Sequence, residues 1–174
     1  DMKQSKAFAI GEAIKERRSI RNYVEKEIPK EILIDLIDCA RLAPTGNNKQ
    51  AWKFVVITDQ EIRENIANEA QYGRFIKDAG ACIAVLCDEE AATTPLQDAS
   101  AATENILIAA KDYGLGSCWV NSYEEEHSQQ VENMLQVPDK WKLMTLIAVG
   151  YQETKDNNVP KKDLDEVLVW NSFE

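Results

Sequence analysis

One helix limits the fold more than any other stretch of the chain: the segment from Thr94-Pro95 to Tyr113. Proline suits the first turn of a helix, where its missing N–H leaves no bond unmade, and Gly114 offers the left-handed residue that commonly ends one. Between them Ala99, Ala102, Ile106 and Ala109/Ala110 recur at helical spacing. Alanine puts little side chain between a helix and its neighbours. A helix this long and this rich in alanine is therefore expected at the centre of the molecule, packed closely on several sides.

The other elements alternate around it. Ser5 to Arg17 carries Phe8, Ile10, Ala13 and Ile14 at roughly helical spacing. Pro29 opens a clearer helix through Ile32, Leu33, Leu36, Ile37 and Ala40, which Pro44 stops. Asp59 is expected to cap a helix through Ile62, Ile66 and Ala70. A shorter helix is expected from about Glu126 to Leu135. Trp52 to Thr58 and Ala81 to Cys87 are rich in β-branched and apolar residues and read as strands buried on both faces, with Ser117 to Val120 and Leu143 to Val149 as two more. The alternation implies an α/β or α+β fold with one layered sheet, and no linker or repeat divides residues 1–174, so one domain is expected. From Tyr151 the chain is polar and then ends in Val167, Leu168, Val169 and Trp170, which need cover from their own core or from a partner subunit.

Composition narrows the chemistry. The 174 residues carry 20 Lys plus Arg against 30 Asp plus Glu, a net charge of −10 that opposes nucleic acid or an anionic membrane as partner. The longest apolar run, Ala81 to Cys87, is far shorter than the roughly 20 residues of a bilayer span. Asp1 precedes Met2, which suggests Met2 as the natural start, and no signal peptide is read at the N-terminus. Cys39, Cys82, Cys87 and Cys118 include no C-x-x-C pair and His127 is the only histidine, so no metal site is expected. The first three cysteines read as reduced core residues. Free thiols without an export signal point to the cytoplasm. His127, after Glu124-Glu125-Glu126, reads as a surface residue.

The charge is unevenly placed. Residues 1–57 hold 11 basic and 8 acidic side chains, net +3, which leaves −13 for the remainder. The densest basic piece is Arg17-Arg18-Ser19-Ile20-Arg21. Cations here would favour the C-terminal end of the first helix, and forked guanidinium groups beside a serine hydroxyl would equally clamp a phosphate. Pro44-Thr45-Gly46-Asn47-Asn48-Lys49-Gln50-Ala51-Trp52 is turn chemistry, whose amides could also read the edge of a heterocycle. Gly114-Leu115-Gly116-Ser117-Cys118-Trp119-Val120 is a glycine-rich entry into a strand. Lys161-Lys162 is a basic pair in the tail.

In this order and spacing, the four segments resemble the nitroreductase family of FMN-dependent oxidoreductases over essentially the whole chain. The resemblance implies an α+β sandwich with a mainly antiparallel central sheet flanked by helices. It also implies an intertwined homodimer with an FMN in each of two interface pockets. Carried over by position, Arg17, Ser19 and Arg21, with Arg18 alongside, would contact the flavin phosphate and ring edge, and Lys161 and Lys162 would close on the phosphate. Thr45, Gly46 and Asn48 would come from the other subunit, and Gln50 would approach the polar side of the flavin. Backbone groups of Cys118, Trp119, Val120 and Asn121 would face the ring.

This chain departs from the family pattern in places. It has Thr45, Gly46 and Ala51 where two serines and a proline are usual, Asn121 and Ser122 where small glycines are common, and Lys161 where arginine is frequent. No contact is expected from Gln71 to Asp78. The flavin would carry the chemistry, with no catalytic acid or base and with Arg21 tuning it. NADH or NADPH would be the donor and a nitroaromatic, a quinone or another small electron-poor molecule the acceptor, in ping-pong order. The alternatives are another flavin reaction on the same fold (reductive dehalogenation, flavin breakdown or ring dehydrogenation) or a non-catalytic flavin-binding protein.

Overall fold

Apolar spacing in the sequence places most of the elements, and their mutual arrangement comes from the sheet register. The computed structural model describes residues 10–154 and 159–173. In chain order the elements are α1 (residues 10–16), α2 (Lys30–Arg41), β1 (Trp52–Ile57), α3 (Gln60–Glu69), β2 (Ala81–Asp88), α4 (Pro95–Asp112), β3 (Gly116–Asn121), α5 (Ser128–Met134), β4 (Trp141–Gly150) and α6 (Leu164–Val167). Residues 5–9 of the first expected helix lie outside the described residues. Asp59 caps α3 as expected, accepting from the Ile62 N–H at 2.9 Å. Gly114 follows α4 with a φ of 74°. No helix of the described residues is long and apolar enough to cross a membrane.

The sheet has the order β1-β2-β4-β3 with every neighbouring pair antiparallel, an arrangement the apolar periodicity alone left open. Side chains alternate across it. Ile83, Val85 and Cys87 of β2 face α2 and α4, while Cys82, Ala84 and Leu86 join the opposite core with Ile66 of α3 and Val131 of α5. A register shift between Val85 and Leu86 leaves Met144 of β4 without a partner on β2. This bulge moves β4 by one residue, so that Met144, Ile147 and Val149 all reach the α4 side. The result is two helical layers around one sheet.

α4 is the central helix that its alanines imply: no residue from Asp98 to Lys111 is exposed. It packs over β2, β3 and β4 and against α2, where Asn105 Nδ2 donates to the Cys39 carbonyl at 2.9 Å. Thr103 and Thr145 share a 2.8 Å hydroxyl bond beneath it.

Some expectations require correction. β1 is not buried on both faces: Lys53 and Val56 are exposed and only Ile57 is buried, because β1 is an edge strand. Cys82, Cys87 and Cys118 are buried, whereas Cys39 is half-buried at the end of α2. His127 is half-buried rather than on the surface, since its Nε2 meets Ser122 Oγ at 2.9 Å. The apolar tail is not covered by its own core: Val167, Leu168, Val169 and Trp170 are exposed, Trp170 by 78%.

Candidate functional site

α1 ends just before Arg17, and the chain then runs extended along the edge of β3. Ser19 forms a parallel bridge with Ser117, and the Ile20 N–H donates to the Ser117 carbonyl at 2.9 Å. Three residues further, Tyr23 pairs with Gln152 beyond the end of β4. Gly116 permits this approach, because a Cβ there would lie 2.8 Å from the Ile20 side chain. Two segments about a hundred residues apart in sequence therefore meet at one corner of the sheet.

The side chains at this corner differ in role. Arg18 turns back on the end of α1, its Nη1 donating to the carbonyls of Lys15 at 2.8 Å and Arg17 at 2.7 Å, which is the helix-end use of a cation. Arg17 is half-buried and reaches Glu104 Oε1 in the middle of α4 at 3.5 Å. Ser19 and Arg21 are exposed, and Arg21 forms no salt bridge among the described residues. Burial pushes the Cys118 thiol up, against Arg21, a hydrogen bond from Ser19, and Arg17, all three of which favour the thiolate. Ser19 thus lies beside Ser117 on the edge of β3, with Arg17 and Arg21 flanking it in the chain. On the rest of its outer edge β3 has no strand partner among the described residues.

Thr45, Gly46, Asn48 and Gln50 lie elsewhere. They form a turn with a short 3-10 stretch, Gly46–Asn48, in which Asn47, Asn48 and Gln50 all have positive φ, 54°, 53° and 50°. Asparagine tolerates this region and glutamine less so, and such conformations cost about 1–3 kcal/mol each and gather at functional sites. Thr45 Oγ1 accepts from the Gln50 N–H at 3.1 Å, and Gln50 Nε2 donates to the Asn48 carbonyl at 3.4 Å. The Gly46 N–H donates to Asp98 Oδ1 at 3.0 Å, at the start of α4.

The register fixes where these two groups stand. The turn leads into Trp52, opposite Cys87 at one end of β2, while Ser117 pairs with Val149, which in turn lies opposite Ala81 at the other end. β1 and β3 are also the two outer strands. At about 3.4 Å per residue and 4.8 Å per strand, the turn and the Ser19–Arg21 segment occupy diagonal corners with backbones roughly 25 Å apart. Lys161 and Lys162 are exposed in the tail before α6 and are joined to neither corner by a hydrogen bond or salt bridge among the described residues.

Two polar features escape sequence reasoning. Asp98 reads as an ordinary acid in the first turn of a helix, yet it is buried and holds Gly46. Ser122, fully buried after β3, donates to the Val120 carbonyl at 3.1 Å and meets His127, so an apparently exposed histidine braces the end of the strand. Neither has a local signal, because each depends on a turn folding back.

The comparisons with known proteins agree with this architecture. The model of the nitroreductase family matches residues 14–73 and 68–151. A protein of Methanothermobacter thermautotrophicus, provisionally named NADH dehydrogenase/NAD(P)H nitroreductase, is 36% identical over 155 residues, spanning 87% of this chain and 81% of that protein. An FMN-dependent nitroreductase from Clostridium difficile R20291 superposes with a TM-score of 0.87 at 30% identity, covering 92% of this chain and 98% of the other. A Bacteroides thetaiotaomicron structure, also provisionally named NADH dehydrogenase/NAD(P)H nitroreductase, gives 0.90 at 30% identity, with 95% and 98% covered. With most of its length matched by the family model and a relative of this identity over most of both chains, the protein is a member of the nitroreductase family.

Proposed function

We propose that the chain is an FMN-dependent NAD(P)H oxidoreductase that reduces small electron-poor acceptors such as nitroaromatics or quinones. The observation that carries this reading is the pairing of the Arg17–Arg21 segment with the edge of β3, where Ser19 bridges Ser117 and the Ile20 N–H donates to the Ser117 carbonyl. A phosphate needs charge-assisted donors, and this corner offers two guanidinium groups and an exposed hydroxyl, with Arg17 paired to Glu104 at 3.5 Å. The residues therefore fit a flavin mononucleotide. FMN, when bound, would supply the redox chemistry, taking a hydride from NADH or NADPH and passing reducing equivalents to an acceptor that follows the donor into the same place.

The protein's part is binding and electrostatics. Arg17 and Ser19 hold the phosphate, and Arg21 places positive charge where the ring gains negative charge on reduction. Backbone groups from Cys118 to Asn121 orient the ring along the β3 edge. Lys161 and Lys162 add mobile charge from the tail. Thr45, Gly46, Asn48 and Gln50 contact the same flavin from a second chain, a reading supported by their distance from the arginine corner of their own chain. The exposed apolar tail and the groove along β1, lined by Ile34, Ile37, Phe54 and Val56, supply surfaces for such a dimer.

The test is an absorbance spectrum of the purified protein after FMN addition, titrated with NADH or NADPH and then with acceptors. A yellow protein bleached by the nicotinamide and recoloured by a quinone or nitro compound is expected. A protein that takes up no FMN and accelerates no NAD(P)H oxidation overturns the reading. Flavin binding without a response to either nicotinamide transfers the fold to another flavin reaction.

A further inference from the structure

The turn Thr45–Gln50 is held to the protein by little. Its own hydrogen bonds, Asn48 N–H to Thr45 O at 2.9 Å, Lys49 N–H to Gly46 O at 3.3 Å and Gln50 N–H to Thr45 Oγ1 at 3.1 Å, close the turn on itself and leave its position undetermined. A bond across 52 residues does that: the Gly46 N–H donates to Asp98 Oδ1 at 3.0 Å. Thr94 Oγ1 donates to the same oxygen at 2.7 Å. A Cβ on Gly46 would stand 2.4 Å from that hydroxyl, so the turn backbone sits directly on the Thr94–Asp98 pair.

Asp98 is an unusual residue to find here. It is 4% exposed, forms no salt bridge among the described residues, and its Oδ2 has no hydrogen-bond partner. A buried carboxylate without a cation opposes folding, although the start of α4 offers it the positive end of a helix dipole. Its one fully used oxygen serves to place the turn.

We infer that Asp98 is the positioning residue of the flavin site, its carboxylate fixing the strained turn so that Thr45, Asn48 and Gln50 are preset for the flavin. The inference rests on the proposed reading of this turn as half of the FMN pocket. It also accounts for glycine where the family commonly has serine. Any side chain at position 46 displaces the Thr94 hydroxyl from the oxygen that both donors share.

The experiment compares full-length native protein, Asp98→Ala and Asp98→Asn, each without and with FMN. Gly46 amide exchange is measured by NMR in the flavin-free protein, and the FMN Kd and visible circular dichroism in the loaded one. A hydrogen bond to a charged acceptor corresponds to roughly a 10-fold effect or more. Asp98→Ala should therefore speed Gly46 exchange, weaken FMN at least about 10-fold and change the flavin dichroism. Asp98→Asn keeps an acceptor oxygen for both donors and should stay within about threefold of native on both counts. Where Asp98→Ala does not fold, Asp98→Leu fills the volume without an acceptor and carries the same expectation.

Unchanged Gly46 exchange in Asp98→Ala overturns the inference, as does equal loss of FMN in the Ala and Asn variants. Faster exchange with native FMN affinity leaves the flavin reading intact and removes Asp98 from it. A native protein that binds no FMN defeats the flavin reading, while Gly46 exchange still reports whether Asp98 holds the turn.

Discussion

The two diagonal corners of the sheet are built on opposite principles. At the β3 corner, charge is presented from backbone already paired at the end of the sheet: Ser19 bridges Ser117 and Tyr23 bridges Gln152, with Arg17 and Arg21 in the same segment. At the β1 corner, the turn carries Thr45, Asn48 and Gln50 on backbone with three positive-φ residues, pinned through Gly46 to Asp98. One corner supplies electrostatic attraction that tolerates small displacements, and the other supplies shape that does not. They are separated by roughly 25 Å of sheet, and under the proposed function they would be halves of one pocket contributed by two chains.

The strongest test of this division is subunit complementation. An Arg17→Ala/Arg21→Ala chain lacks the charged half, and a Gly46→Val chain, whose new side chain strikes Thr94, lacks the shaped half. Each variant by itself should lose most of its FMN binding and activity. Mixed dimers should recover about half of their sites, because one pocket then receives both intact halves. If mixing restores nothing while both variants remain folded, the pocket is not shared between chains.

Within the charged half, Arg17→Ala should raise the FMN Kd by roughly 10- to 100-fold, since charge-assisted forked contacts contribute about 1.5–3 kcal/mol. Lys162→Ala should change it by less than about threefold, because an exposed ammonium is mobile and screened. Fluorescence titration of both variants decides the order, and the reverse ranking removes the phosphate from the arginine corner.

The smallest effect concerns His127, behind the end of β3. Burial lowers its pKa below 6.5, against an opposing attraction from Glu125. A histidine depressed in the folded state contributes stability above its unfolded pKa, and that stability is lost as pH falls below about 6.5. His127→Gln retains a donor for Ser122 and does not titrate. Its thermal midpoint should fall less than that of the native protein between about pH 6.5 and 5. Superimposable pH profiles would show that the histidine carries no charge-linked strain at this strand end.

Much of this was legible in the residues, for identifiable reasons. Pro95, Gly114 and the alanine spacing marked α4, and Asp59 marked the start of α3, because helix ends and helix faces are local properties. The Arg-Arg-Ser-Ile-Arg and Thr-Gly-Asn-Asn segments stood out because they interrupt those patterns. The edge status of β1 was not legible, since Trp-Lys-Phe-Val-Val-Ile has the composition of a covered strand. Nor was the bulge at Met144, which reverses the side-chain alternation midway along β4. Asp98 was invisible as well, because its function depends on a backbone amide 52 residues away.

The sequence by itself determined the helices and strands, the small central helix face and the two unusual segments, since these follow from spacing and side-chain chemistry along a few turns of chain. The tertiary structure alone decided that the strands run antiparallel in the order β1-β2-β4-β3, and so which ends share a corner. Strand order depends on pairing between residues distant in sequence, a choice that local periodicity does not encode. That choice brings the arginine segment to the edge of β3, sends the turn to the far corner, and divides the candidate site into two groups of residues.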